Sequence, residues 1–140
     1  MRGRLGIAVQ SVGLGQAVLE RALSCSRGRR QSGNLINQCQ AIQWMLVGMV
    51  TRVEAARLLS YEAACLYDEG ARVSKEAAMA KPCASEACLD IAIRGIQIFG
   101  SYGCMIDSPM QHYLRDAKLT QIYEGTAEVQ RMVIARALLA

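Results

Sequence analysis

Residues 38–67, QCQAIQWMLVGMVTRVEAARLLSYEAACLY, decide the fold of this chain, because apolar side chains recur along them at steps of three and four. Residues with this spacing share one face of an α-helix, and Arg52, Arg57 and Glu62 fall on the opposite face. The stretch therefore predicts a long amphipathic helix. Gly70 follows it and suits the left-handed conformation that commonly ends a helix. The apolar face contains Ile42, Met45, Met49, Val53, Ala56, Leu59, Ala63 and Leu66.

Two further long segments, one on each side of this helix, show the same periodicity. Residues 5–23 predict a first helix, which ends in a loop rich in Ser, Gly and Arg at residues 26–33. Residues 77–98 predict a third helix, for which Ser74 is a suitable N-cap. Pro82 lies inside that helix and is expected to kink it, because proline removes a backbone donor.

The last part of the chain predicts two shorter helices, at residues 110–117 and 127–139. Thr126 is the expected N-cap of the final helix. No segment shows the alternation of apolar and polar residues that is typical of a strand. Long helices joined by short loops predict an all-α fold, an antiparallel four-helix bundle-like domain.

The composition excludes several classes of protein. Of the residues, 52% are hydrophobic and 20% are charged, as expected of an ordered helical domain. The net charge of +4 comes without a dense basic stripe, so no nucleic-acid partner is expected. No apolar run approaches the roughly 20 residues that a membrane span requires. The six cysteines form no C-x-x-C pair, which favours reduced thiols over a zinc site.

Two residue types could suggest special chemistry but have simpler interpretations. His112 is the only histidine, and it lacks the partners of a metal site, so we expect a packed or hydrogen-bonded core residue and no metal. Met45, Met49 and Met132 fall on apolar stripes, where core packing is expected rather than a methionine-rich binding face.

Residues 115–131, RDAKLTQIYEGTAEVQR, are the one stretch that indicates chemistry. Glu124 precedes a predicted helix, and Gly125 allows a ligand to approach the backbone closely. The N-terminus of that helix offers unpaired N–H groups to an anion. If Tyr123 and Ile122 enclose the carboxylate, its pKa is raised, and Glu124 is then suited to act as a general base near neutral pH. The alternative is that Glu124 is an exposed loop acid with no such role.

Several motifs in register along the whole chain resemble those of the acyl-CoA dehydrogenase family. The central one is IYEGTAEVQ at residues 122–130, which resembles the C-terminal signature of the family, and the short-chain and short/branched-chain members are the most similar. The other matching motifs are GRLGIA at 3–8, Arg29 with Gly33, QAIQ at 40–43, EAARLL at 54–59, KEAAMAK at 75–81, QIFG at 97–100, and His112, Tyr113, Arg115 and Asp116.

The resemblance implies a fold and a reaction. It identifies residues 1–140 as the C-terminal helical domain of the family, without the N-terminal helical and middle β domains, so we expect a piece of a longer protein. The implied reaction is FAD-dependent α,β-dehydrogenation of short or short branched acyl-CoA thioesters. Glu124 matches the catalytic base, and Arg4 and Gly125 match residues at the substrate. Some members carry the base immediately before the residue that matches Arg4, but Gly3 occupies that position here.

The resemblance also implies cofactor and partners. It implies an FAD site shared between subunits, a homo-oligomer (dimer or tetramer), electron-transfer flavoprotein as acceptor, and a mitochondrial matrix or bacterial cytoplasmic location. We expect the isolated chain to be inactive. The alternative is a non-catalytic helical module for oligomerisation or partner binding, which is favoured by Ser32, Ser101 and Pro82, where the chain departs from the family pattern. The residues that match cofactor-binding segments are Arg29, Gln40, Gln97, Ile98, Phe99, Gly100, Ser101, Thr126, Ala127 and Glu128.

Overall fold

The computed structural model describes residues 2–140 as a bundle of helices, which confirms the all-α prediction. A two-stranded hairpin and a short 3-10 helix at Ile36–Gln38 join the first two helices. The elements are α1 (Arg2–Gly28), β1 (Arg30–Gln31), β2 (Asn34–Leu35), α2 (Gln40–Asp68), α3 (Ser74–Phe99), α4 (Ser101–Cys104), α5 (Pro109–Thr120) and α6 (Ala127–Leu139). Within residues 2–140, no helix combines the length and the apolar character that crossing a membrane demands.

Helix α3 is the centre of the bundle, because it packs against α1, α2, α5 and α6. Small side chains allow this close packing. A Cβ at Gly95 would lie 2.5 Å from Val18 Cγ1 and 2.6 Å from Met110 Cε, so α1 and α5 both approach α3 where it has no side chain. Val18 and Met110 are fully buried in the resulting core. The core therefore depends on helix contact at glycine and alanine positions as well as on large apolar residues.

The predicted loop at residues 26–33 is different in the structure. Helix α1 extends to Gly28, and β1 pairs with β2 in an antiparallel hairpin. Ser32 and Gly33 form its two-residue turn and have φ angles of 50° and 83°. Two left-handed residues are typical of a tight hairpin whose twist matches its strands. The prediction that the chain has no strands was wrong here, because two-residue strands are too short to show an alternating pattern.

The helix ends confirm two predicted caps and correct a third. Gly70 has a φ of 84°, and the Ala71 amide donates to Leu66 O at 3.0 Å, as in a left-handed C-terminal cap. The Thr126 hydroxyl accepts from the amide of Val129 at 3.4 Å and caps α6. Ser74, in contrast, is the first residue of α3, and the N-cap is the apolar Val73. Val73 is buried, so tertiary packing sets this boundary.

Two further expectations have clear outcomes, and a third stays a prediction. Helix α3 includes Pro82 and runs from Ser74 to Phe99, and the kink expected at the proline stays a prediction. His112 is exposed on α5, and the prediction of a core histidine was wrong. Met132 on α6 is 54% exposed and is also not a core residue, whereas Met49 is fully buried. Both errors fall on α5 and α6, which each bury only a few side chains.

Candidate active site

Glu124 lies in the turn between α5 and α6, and its backbone is left-handed. Its φ is 54° and that of Gly125 is 86°. A hydrogen bond of 3.1 Å from the Ala127 amide to Gln121 O closes the turn. The left-handed region is unfavourable for a residue with a Cβ, and such residues cluster at functional sites when the surrounding structure holds them in place. The backbone thus marks Glu124 as the unusual residue of this turn.

The side chain of Glu124 reaches the first turn of α1. A Cβ built on Gly3 would overlap the Oε2 atom of Glu124, so the carboxylate occupies the space that a side chain at position 3 would fill. Residues 3 and 124 therefore share a single side-chain volume. Glycine at position 3 leaves that volume to the carboxylate of Glu124.

Within the described residues, 2–140, the side chains predicted to enclose Glu124 do not do so. Glu124 is exposed, and Ile122 is 53% exposed. Tyr123 is partly buried, and its hydroxyl donates to Gln10 Oε1 at 2.7 Å, which ties the turn to α1. The expectation that Ile122 and Tyr123 enclose the carboxylate was wrong within residues 2–140. Tyr123 ties the turn to α1, Ile122 lies at the edge of the turn, and the carboxylate of Glu124 is exposed.

Behind Glu124 lies a buried polar contact that the sequence analysis missed. The Lys81 ammonium on α3 is fully buried and donates to Gly125 O at 2.5 Å. The Gln130 amide on α6, also fully buried, donates to the same oxygen at 3.0 Å. The pKa of Lys81 is lowered, first by burial and next by the charge of Arg4, while Glu124 and Glu128 oppose the shift. The signal in the sequence was a lysine within the apolar run from Ala77 to Ala84.

A second cluster forms at the other end of α1. The Arg29 guanidinium donates to Phe99 O and lies 3.3 Å from the position of a Cβ on Gly100, which has a φ of 60°. Its central carbon is 5.8 Å from the centre of the Tyr102 ring. The structure thus brings Arg29 together with the turn that contains Phe99, Gly100 and Ser101. A planar guanidinium beside a glycine turn is chemically suited to a phosphate or pyrophosphate group.

The remaining predicted cofactor residues lie on α2, α3 and at the start of α6. Gln97 is exposed on the last turn of α3, whereas Ile98 is 2% exposed and its side chain packs in the core. Gln40 is exposed at the start of α2. Thr126, Ala127 and Glu128 lie beside Glu124, and not beside Arg29.

The start of α6 is already used by groups of this chain. The Thr126 hydroxyl caps the helix. The pKa of Glu128 is lowered, first by its own backbone N–H and then by the Thr126 hydroxyl. Glu128 is exposed in the first turn of α6, where the helix N-terminus favours a negative charge.

The two clusters lie far apart. Helix α1 has 27 residues, and at roughly 1.5 Å per residue its ends are about 40 Å apart. Gly3 and Glu124 are at one end, and Arg29 and Gly100 are at the other. A single flavin dinucleotide is shorter than this distance, so the two clusters would not contact the same molecule in one copy of the chain.

Comparison with known proteins gives a consistent answer along the whole chain. Residues 1–139 match the family model described as acyl-CoA dehydrogenase, C-terminal domain. An acyl-CoA dehydrogenase of Bacillus subtilis is 49% identical over 98% of this chain and 36% of its own length. The mitochondrial short-chain specific acyl-CoA dehydrogenase of Rattus norvegicus is 45% identical over 98% of this chain and 33% of its own length.

A solved structure agrees with these relatives. Butyryl-CoA dehydrogenase from Megasphaera elsdenii superposes with a TM-score of 0.97 at 43% identity, covering 99% of this chain and 36% of that one. The chain thus spans about a third of the length of the proteins it matches. The match covers α1 to α6 and both clusters, and the chain belongs to the acyl-CoA dehydrogenase family, in which it corresponds to the C-terminal domain.

Proposed function

We propose that this chain is the C-terminal domain of an FAD-dependent enzyme that dehydrogenates short or short branched acyl-CoA thioesters between Cα and Cβ, and that Glu124 is the base. The observation that carries the proposal is the left-handed Glu124–Gly125 pair, with its carboxylate placed over Gly3. An exposed loop acid without a function needs neither the unfavourable backbone nor the matching glycine. The names of the relatives, a short-chain specific dehydrogenase and a butyryl-CoA dehydrogenase, support the short acyl chain.

In this reaction Glu124 takes the proton from the α-carbon of the thioester. The electron pair of that C–H bond forms the new double bond as the β-hydrogen leaves with its own electron pair. FAD, when bound, supplies the acceptor for that hydride. Gly125 keeps the backbone beside the thioester free of a side chain, and Arg4, in the first turn of α1, contributes positive charge near the acyl-CoA. The remaining domains would cover the exposed face of Glu124 and exclude water from it.

The residues of the second cluster fit the anionic part of FAD. Arg29 supplies a guanidinium with several donors, and the absence of a side chain at Gly100 lets that guanidinium lie close against the turn. Since Arg29 and Glu124 lie at opposite ends of α1, Arg29 would hold the FAD of a neighbouring subunit, together with Gln40, Gln97 and Ser101. Ser101 is exposed at the start of α4.

Exposed apolar side chains support a homo-oligomer, a dimer or tetramer. Among the described residues, large hydrophobic side chains of α2 and α6 are open to solvent, and such patches commonly mark protein interfaces. These exposed side chains are Trp44, Val47, Val50, Leu58 and Tyr61 on α2, and Val129, Met132, Leu138 and Leu139 on α6.

Electron-transfer flavoprotein is the proposed electron acceptor, in a mitochondrial matrix or in a bacterial cytoplasm.

The proposal is tested with the full-length protein that contains this chain, by assaying oxidation of butyryl-CoA with an artificial electron acceptor. Glu124→Gln should lower kcat by about 10²–10⁴-fold, because a general base is lost while shape is kept. Bound FAD and the melting temperature should not change. The matched control is Glu69→Gln, an exposed carboxylate after α2, which should retain wild-type activity. The isolated 140-residue chain should be inactive, since it lacks most of a flavin site.

The second candidate function is a helical oligomerisation or partner-binding module without catalysis. The exposed apolar faces of α2 and α6 favour it as much as they favour an oligomeric enzyme. The same assay separates the two functions. A full-length protein that assembles but shows no flavin-dependent turnover of short acyl-CoAs would establish the module and refute the enzyme. Equal activity of the wild type and Glu124→Gln would remove Glu124 as the base.

A further inference from the structure

Lys81 is the most unusual buried group in the described part of the chain. Its side chain is fully buried on α3, and lysines are rarely buried without a charged partner. Yet no carboxylate within residues 2–140 forms an ion pair with it. Its hydrogen-bond acceptor is the carbonyl oxygen of Gly125. A buried ammonium that has a backbone carbonyl as its acceptor requires a physical explanation.

Stability of the bundle does not supply that explanation. Removing an ammonium group from water is costly, and an ammonium without a carboxylate partner does not recover that cost through an ion pair. The lowered pKa of Lys81, caused first by burial, shows that this cost is present here. Ala77, Ala78 and Ala84 lie one turn away from Lys81 along α3, so a methionine at this position keeps the packing of the aliphatic part of the side chain. We therefore look for the role of the ammonium in the group to which it donates its hydrogen bond.

It holds the peptide unit that follows Gly125, one residue after Glu124. Gly125 O accepts from Lys81 Nζ at 2.5 Å and from Gln130 Nε2 at 3.0 Å. One carbonyl therefore receives hydrogen bonds from two helices, α3 and α6. That carbonyl belongs to the second residue of the left-handed pair. Its orientation is tied to the ψ angle of Gly125 and hence to the course of the chain at Glu124. A turn that lies in an unfavourable region persists only when contacts of this kind fix it.

We propose that Lys81 is a positioning residue for Glu124: its buried ammonium, with Gln130, holds the Gly125 carbonyl so that the left-handed turn aims the carboxylate over Gly3. The role as base rests on the proposed function, but the positioning does not. Lys81 does not touch the carboxylate of Glu124 or the substrate position. It acts from inside the bundle, through the backbone. The sequence feature that accompanies it is a lysine directly before Pro82 in an apolar stretch.

The test compares Lys81→Met with Lys75→Met in the full-length protein. Both change a lysine of α3, but Lys75 is 43% exposed and lies near Glu76, so it controls for loss of a charge on the same helix. Amide hydrogen exchange of residues 122–127 should be at least about 10-fold faster in Lys81→Met than in Lys75→Met, because the turn opens more easily. The melting temperature of Lys81→Met should be equal to or higher than that of the wild type.

The kinetic prediction follows from the displacement of the base. Lys81→Met should lower kcat by about 10- to 100-fold, since a misplacement of about 1 Å can have this effect on a reacting group. KM should change by less than about twofold, because substrate binding is not the step affected. Lys81→Gln keeps a neutral donor on a shorter side chain and should shift exchange and kcat in the same direction by smaller amounts.

Two results would overturn the proposal. One is unchanged exchange at residues 122–127 in Lys81→Met. The other is a melting temperature that falls with kcat, which would mean that Lys81 acts only on overall stability. If the wild-type protein shows no dehydrogenase activity, the proposed function fails, but the exchange measurement still decides whether Lys81 holds the turn. If Lys81→Met does not fold, the same comparison is made with Lys81→Gln.

Discussion

Two turns in this molecule have nearly the same backbone, but different parts of the structure hold them. Ser32 and Gly33 have φ angles of 50° and 83°, and Glu124 and Gly125 have 54° and 86°. Each pair places a residue with a Cβ in the left-handed region, directly before a left-handed glycine. The first turn closes the hairpin between β1 and β2, and the second joins α5 to α6.

The surroundings of the two glycines differ completely. A Cβ on Gly33 would have no atom within 4 Å, whereas one on Gly125 would lie 2.5 Å from Gln130 Nε2. The hairpin turn is held by the adjacent strands, which come from the same short stretch of chain. The Glu124 turn is held by Lys81 and Gln130, which lie on two different helices. A turn closed by neighbouring residues and a turn held by distant helices thus have nearly the same φ angles.

The largest effect is expected when alanine replaces each glycine in the 140-residue chain. Gly33→Ala should lower the free energy of unfolding by about 1–2 kcal/mol, since only the left-handed backbone is penalised. Gly125→Ala should cost about 1–3 kcal/mol more than that, because the new methyl group also meets the buried Gln130 amide. Urea denaturation of both variants beside the wild type measures the difference. Equal losses would contradict the tertiary constraint on the Glu124 turn.

A smaller effect of opposite sign is expected at Ser32. Ser32→Gly should raise the free energy of unfolding by about 0.5–1 kcal/mol, because glycine enters the left-handed region without the steric cost of a Cβ. Ser24→Gly is the matched control. Ser24 is exposed within α1, so glycine there should lower stability by about 0.5 kcal/mol. If both serine variants are destabilised equally, the strain assigned to Ser32 does not exist.

The smallest effect is a change in the pH dependence of stability. Burial lowers the pKa of Lys81 in the folded protein below its ordinary value of 10.5. At a pH between the lowered pKa and 10.5, the unfolded chain therefore binds more protons than the folded one. Stability should therefore rise with pH in that window, and the penalty should be fully present below the lowered pKa. Lys81 is faced by Arg4 from α1, by Glu124 from the turn and by Glu128 from α6.

The measurement for this prediction is urea denaturation of the wild type and Lys81→Met from about pH 8 to about pH 10.4. The difference in stability between them should shrink as the pH rises, because the wild type loses the cost of a buried charge. A constant difference across the range would mean that Lys81 keeps its ordinary affinity for a proton.

Features set by neighbouring residues could be predicted from the sequence, and features set by tertiary packing could not, as in the comparison of the two turns. The long helices were predictable because apolar periodicity is a local property, and Gly70 and Thr126 end or begin helices through neighbouring residues alone. The start of α3 was not, since buried Val73 and its packing set that boundary. The exposure of His112 was missed because periodicity does not tell which helices lie at the surface.

The sequence by itself determined the helical elements, the family, and the presence of a glutamate and a glycine before the last helix. Only the tertiary structure decided that the carboxylate of Glu124 takes the space over Gly3, and that Lys81 and Gln130 meet at Gly125 O. Periodicity and capping act over one or two turns of chain, and a sequence displays them directly. The burial of a long polar side chain depends on where three separate helices come to lie, and that is set by packing of the whole core.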